Sequence, residues 1–174
     1  MFDLHQLRLE VTATDSEYRG YFEAARQRQL VVQKCTNCEL LRAAIGSGCP
    51  FCGSPEWQWE PVQGTGFIYS YQIVAHAVLP AFREWVPYPL VLVELDEQRD
   101  VPWPTHDPTG TVSLRIVAML SSRTDPSQPA DEESVAIGKR VEVCFLDIND
   151  LQALPAFRLS EGPPEHSPWR APDQ

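Results

Sequence analysis

The sequence has no long apolar run. Nowhere do about 18 consecutive apolar residues occur, the length a membrane-crossing helix needs. The start, MFDLHQLRLEVTATDSEY, also lacks the basic segment and apolar core of an export signal. These absences predict a cytoplasmic protein with no membrane role. Positive charge is scarce too: 14 Lys and Arg stand against 24 Asp and Glu, a formal net charge of −10. The deficit is uneven, with 6 basic against 8 acidic residues in 1–63 and 8 against 16 in 64–174. Nucleic-acid binders draw most of their affinity from Lys and Arg on phosphates, so the acidic second half argues against that role. Histidine is rare, and none of His5, His76, His106 and His166 lies near the cysteine-rich segment.

That segment, QKCTNCELLRAAIGSGCPFCGSPEWQWEP, is the strongest signal present. Cys35 and Cys38 form one C-x-x-C pair, and Cys49 and Cys52 form a second after ten residues. In a reducing compartment such pairs point to metal or redox work rather than to structural disulfides. Two knuckles at this spacing close a tetrahedron around Zn²⁺, and four protein ligands leave no open position, so such a site is structural. A rubredoxin-like iron site and a dithiol redox pair are the competing readings. The remaining cysteine, Cys144 in RVEVCFLD, reads as a small buried hydrophobe.

With 174 residues and 43% hydrophobic content, the chain suits one ordinary domain or two small ones. After a strand-like LRLEV, the stretch TDSEYRGYFEAARQRQ predicts a helix, with Thr14 as cap and Tyr18, Tyr21, Phe22 and Ala25 on one face. Gly20 weakens it slightly. LVVQKC predicts a strand. GTGFIYSYQIVAH alternates Phe67, Tyr69, Tyr71 and Ile73, which predicts a shared buried face. Further strands follow at Val91/Val93/Leu95, where Glu94 falls on the solvent side, at Val112/Leu114/Ile116/Ala118, at Val141/Val143/Phe145, and around AFRLS. Five or so strands without crossover helices indicate a mainly β protein, an antiparallel barrel or sandwich. Three segments interrupt them: the aromatic, proline-rich AVLPAFREWVPYP, the hairpin-like EQRDVPWPTHDPTG, and SSRTDPSQPADEES, which reads as a mobile acidic loop. The tail from Glu161 is predicted to be extended.

Taken in order, YFEAARQRQLVVQKCTNC, CPFCGSPEWQWEPVQGTGFIYSY, YPLVLVELDE and AIGKRVEVCFLDINDLQALPAFRL resemble the DUF35 family over roughly residues 17–160. The resemblance implies a rubredoxin-like zinc ribbon ahead of a five-stranded antiparallel OB-fold barrel. The division it implies is 1–32 as an N-terminal strand and helix arm, 33–61 as ribbon, 62–160 as OB-fold and 161–174 as a proline-rich tail. It further implies a noncatalytic subunit of a hetero-oligomer, paired with a thiolase-like or lipid-transfer-protein-like enzyme. Such enzymes act on acyl-CoA thioesters as aldolases, thiolases, acyltransferases or hydratases, steroid side-chain cleavage being one case. Two departures stand out. The family carries a proline-rich, basic stretch between the knuckles, whereas ELLRAAIGSG has only Arg42, and the 97–111 hairpin is longer than the pattern.

No catalytic constellation emerges from the residues themselves. His76 is the one candidate base, and Lys34 and Arg42 are the cations that a CoA phosphate would meet. Phe82, Trp85, Tyr88 and Trp103, apolar aromatics in loops, are either anchors for a partner subunit or a cover over the barrel. Single-stranded nucleic-acid binding is the alternative function, since ribbons and OB-folds both serve it and Tyr69 and Tyr71 stand on a strand.

Overall fold

A computed structural model describes residues 16–43, 45–78, 82–104, 110–149 and 152–172. Thr14, the LRLEV lead, His5 and His106 lie outside them. In chain order the elements are α1 (Ser16–Arg26), β1 (Leu30–Cys35), β2 (Leu41–Arg42), β3 (Trp57–Val62), β4 (Thr65–Val74), β5 (Tyr88–Leu95), β6 (Val101–Pro102), β7 (Thr111–Val112), β8 (Arg115–Ser121), β9 (Arg140–Asn149) and β10 (Gln152–Leu159).

The cysteine region is a three-stranded antiparallel sheet with β1 in its centre, flanked by β2 and β3. Its apolar side is shared with the next unit: Leu30 and Val32 of β1 belong to the same buried cluster as Ile68, Val91 and Val93. The helix α1 closes over this junction. Its Gly20 has no room for a side chain, because the indole of Trp59 on β3 lies where a Cβ would be. The residue predicted to weaken the helix is therefore the one that lets it seat.

β4, β5, β8, β10 and β9 form a closed barrel in that order. Ile68, Val91, Val93, Leu95, Leu114, Leu120 and Phe157 fill it and are almost wholly excluded from water. Each aliphatic or aromatic side chain so buried contributes about 1.5–3 kcal/mol. The expected antiparallel barrel holds at four seams. At the fifth, β8 and β10 run parallel and share just two register pairs, Phe157 with Leu120 and Arg158 with Ser121. β6 and β7 make the expected hairpin arm.

Four sequence expectations need correction. A bulge between Ile68 and Ser70 breaks the alternation of β4. It turns Ile68, Tyr71 and Ile73 inward and leaves Tyr69 outside at 43% exposure. Phe67 is buried on the outer side instead, between the Arg99 guanidinium at 4.7 Å and His166 at 5.6 Å. Glu94 is buried rather than solvent-facing. Its carboxylate takes two Arg115 nitrogens at 2.8 Å, and Arg115 in turn lies 3.7 Å over the Tyr69 ring.

β9 is buried on both faces. Val141, Val143 and Phe145 turn inward as expected, while Cys144, Leu146 and Ile148 build a second apolar cluster outside the barrel with Trp85, Met119 and Ala156. The 121–134 segment is folded rather than mobile. Ala130 and Val135 enter the main core, Ala130 N–H donates to the Leu120 carbonyl at 2.8 Å, and Asp125 accepts from the Ser127 hydroxyl and N–H.

The extended tail is tied to the barrel. Ile137 and Trp169 exchange both backbone hydrogen bonds, Glu165 N–H donates to Gly138 O, and Ala171 N–H donates to the Tyr71 hydroxyl at 2.8 Å. Arg99 and Arg140 bind Asp96 and Glu165 together, joining tail and barrel through charge.

Candidate functional site

The four cysteines converge. Cys35 and Cys38 lie at the end of β1 and in the turn after it, and Cys49 and Cys52 sit on a second turn before β3. All four sulfurs are within 4.8 Å of one another. The Cys35–Cys52 sulfur separation is 3.6 Å and that of Cys38–Cys49 is 3.7 Å. A tetrahedral metal with bonds of about 2.3 Å to sulfur has edges of about 3.8 Å, so the cluster fits one such ion, zinc among them.

Both knuckles use one backbone device. Glu39 N–H donates to the Cys35 carbonyl, and Gly53 N–H donates to the Cys49 carbonyl, each at 2.9 Å. The residue after the second cysteine is left-handed in each case, with φ of 62° at Glu39 and 77° at Gly53. This reversal aims both sulfurs of a pair at the same point. The amide of Asn37 donates to the Cys52 sulfur at 3.5 Å. That contact, followed by the Ser54 backbone N–H, lowers the Cys52 thiol to about 6, whereas burial pushes Cys38 upward. A metal ion replaces the protons these thiols would otherwise hold.

Arg42, the only cation between the knuckles, is almost fully buried. Its guanidinium donates to the carbonyls of Gly46, at 2.6 Å, and Gly48. It shapes the approach to the second knuckle and, being buried, does not face a phosphate in solvent. Lys34 is 3.9 Å from Glu60.

The ribbon is also clamped to the barrel by a residue that sequence reasoning missed. Gln98, buried in the turn after β5, accepts from Leu41 N–H at 2.7 Å and donates to Leu41 O at 3.0 Å. Its side-chain amide thus continues the ribbon's edge like a strand residue. Nothing in a lone Gln within DEQRD signals this. Further along the same arm, Trp103, 37% exposed, stands edge-on to Phe51 between the second-knuckle cysteines, centroids 5.4 Å apart. The long hairpin therefore leans on the cysteine turn.

The other loop aromatics gather elsewhere. Phe82, Trp85 and Tyr88 pack on one another with centroids 5.4–6.3 Å apart. They rest on the outer cluster of Met119, Cys144, Leu146 and Ile148. Trp85 is buried, and Phe82 and Tyr88 are half-buried. Cys144 is buried as expected, its thiol pushed up mainly by desolvation. His76 is exposed beyond the end of β4. Tyr69, the exposed aromatic that a stacked base would need, already has the Arg115 guanidinium over its ring. No helix among the described residues is long and apolar enough to cross a membrane.

Known proteins are similar to this chain. A solved structure described as "Ltp2-ChsH2(DUF35) aldolase" aligns with a TM-score of 0.63 and 33% identity, covering 84% of this chain and 97% of that one. A DUF35-family protein of unknown function from Sulfolobus solfataricus aligns at 13% identity and a TM-score of 0.48, over 87% of this chain and 90% of that one. A Thermomonospora curvata protein named "Probable enoyl-CoA hydratase alpha subunit" is 48% identical over 138 residues, 79% of this chain and 36% of the relative. The chain thus spans about a third of that relative's length. Residues 59–146 match the family described as "ChsH2, C-terminal OB-fold domain". By that match, and by its similarity to nearly the whole length of the aldolase's chain, this protein belongs to the ChsH2 C-terminal OB-fold family.

Proposed function

We propose that this chain is a noncatalytic subunit, a zinc ribbon at 33–61 joined to an OB-fold at 62–160, that supports a thiolase-like enzyme acting on an acyl-CoA thioester. The observation that carries this reading is the likeness to the aldolase named for Ltp2 and ChsH2, with almost all of the matched chain covered. Retro-aldol cleavage of a steroid side-chain CoA thioester is the specific case it favours. The site agrees chemically: four thiolates close around one metal and leave no position for substrate. The two candidates for chemistry outside the cysteine cluster stand apart, Cys144 buried in the outer cluster and His76 on the surface. Zinc is the ion, held by Cys35, Cys38, Cys49 and Cys52, and its role is to fold the ribbon.

The partner's seat includes Trp103 beside the cysteine turn and the Phe82, Trp85 and Tyr88 trio. Aromatic side chains already held by neighbours lose little freedom on binding, which suits them as anchors. With Arg42 committed to backbone carbonyls, CoA is held chiefly by the enzyme subunit.

Co-expression with a thiolase-like enzyme, followed by assay of each component and of the mixture, tests the proposal. A stable complex active on an acyl-CoA, with this chain inactive alone, is expected. Turnover by the isolated chain, or failure of any such complex to form, refutes it. Metal analysis is expected to give about one zinc per chain, and Cys35→Ser to lose the metal and the complex together.

A further inference from the structure

β8 and β10 separate on one side of their two paired residues, and a cavity of about 300 Å³ opens between them on the outer wall of the barrel. Its walls come from Tyr21 on α1, from the aromatic trio, and from Met119, Leu146 and Leu154. A second hollow of about 300 Å³ shares Leu90 and Val117 with it and runs along β4 and β5. The two hollows adjoin at these shared residues and are together termed the trough, with Val117, 66% exposed, between them. Among the described residues, no acidic or basic side chain lines either part.

The lining selects the occupant. Pockets for small molecules run from about 300 to 1,000 Å³ and are mostly apolar, with few polar groups. In the deeper part the side-chain polar atoms are those of Tyr21, Trp85 and Tyr88. A polypeptide segment laid there would bring an N–H and a C=O with every residue, each costing about 1–3 kcal/mol if buried without a partner. A hydrocarbon brings none. A charged head group finds no counter-ion in the trough and must stay outside it.

We infer that this trough binds the hydrocarbon portion of an acyl chain, whose charged remainder lies in solvent or on a partner. Its identification as an acyl group rests on the function proposed above; the preference for uncharged hydrocarbon rests on the lining alone.

Calorimetric titration of the full chain with 1-decanol, decanoyl-CoA and CoA tests it. Saturable binding of decanol and decanoyl-CoA is expected, with none for CoA. Val117→Asp, at an exposed position outside the core, places a charge at the junction and weakens both by about tenfold or more. Gln128→Asp, outside the lining, leaves both unchanged. Failure of decanol to bind overturns the inference, as does decanol binding that Val117→Asp does not touch, or decanol binding without decanoyl-CoA. Loss of decanol binding in a chain that still assembles with its enzyme defeats this inference and spares the proposed function. Decanol binding without any such assembly does the reverse. A strand of the partner filling the trough instead would show as decanol binding the free chain but being excluded from the assembled complex, which also overturns it.

Discussion

Gly20→Ala is expected to destabilise the protein, although the same change on an exposed helix adds about 1 kcal/mol through backbone propensity. The reason is Trp59. A Cβ at position 20 falls 2.7 Å from its Cδ1 and 2.8 Å from its Cε2, and closer still to its Nε1. The indole has little freedom to yield, being held edge-on by Trp57 at 5.1 Å and beside Tyr21 at 6.5 Å. Overpacking of this kind costs about 1–3 kcal/mol, and a displaced aromatic pair about 0.5–1.5 kcal/mol more. Set against the helix gain, the net loss is about 2 kcal/mol, within a range of about 0.5–3.5 kcal/mol. At about 2–4 °C per kcal/mol for a chain of this size, Tm falls by about 4–8 °C. Thermal and urea unfolding followed by circular dichroism measure it. In a Trp59→Ala background the clash is gone, and the alanine is expected to stabilise by about 0.5–1 kcal/mol. A rise in Tm in the parent, or equal effects in both backgrounds, would refute the reasoning.

Three further outcomes are expected. Gly53→Ala meets no atom within 4 Å yet must keep φ at 77°, so backbone strain alone is expected to lower stability by about 1 kcal/mol, read by urea unfolding. Gln98→Leu leaves the N–H and C=O of Leu41 without their partner and is expected to cost about 2–3 kcal/mol, with hydrogen exchange at Leu41 accelerating ahead of the barrel amides. Hydrogen bonding from Arg140 holds Asp96 below the usual carboxylate range, and hydrogen bonding from Arg99 does the same for Glu165. A folded value below the unfolded one gives stability that is complete above the unfolded value, about 4, and fades as pH falls through the folded one. Trp169 emission is therefore expected to report tail release below about pH 4, and Arg140→Met to move that release to higher pH.

Much of the fold was legible in the sequence because two of its signals are local. A C-x-x-C pair carries its own turn, and the alternation in PLVLVELD put Val91, Val93 and Leu95 in the core, where they lie. What escaped the sequence depends on neighbours it does not display. A bulge shifts the parity of β4 by one residue, so a correct strand produced wrong faces for Phe67 and Tyr69. β9 has apolar residues on both sides because the 82–88 loop folds over its outer face, a contact between segments some 60 positions apart. Arg42 looked like a free cation because backbone carbonyls, its actual partners, leave no trace in composition. The convergence of the four cysteines was readable from their spacing; the Gln98 clamp and the trough were not, since each is made by elements that are distant in the chain.

The short parallel seam gives the barrel an uneven resistance to opening. β8 and β10 are held together by two residue pairs, against three between β4 and β9 and five or more at each of the other seams. Local openings take the route that breaks the fewest hydrogen bonds. Amides on the β8 edge that faces β10 are then the first in the barrel to exchange with solvent. The same fluctuation widens the space beneath Tyr21 without disturbing the cysteine knuckles, which belong to a different sheet. A barrel laced more loosely along one seam than the others can keep its overall shape while one wall breathes.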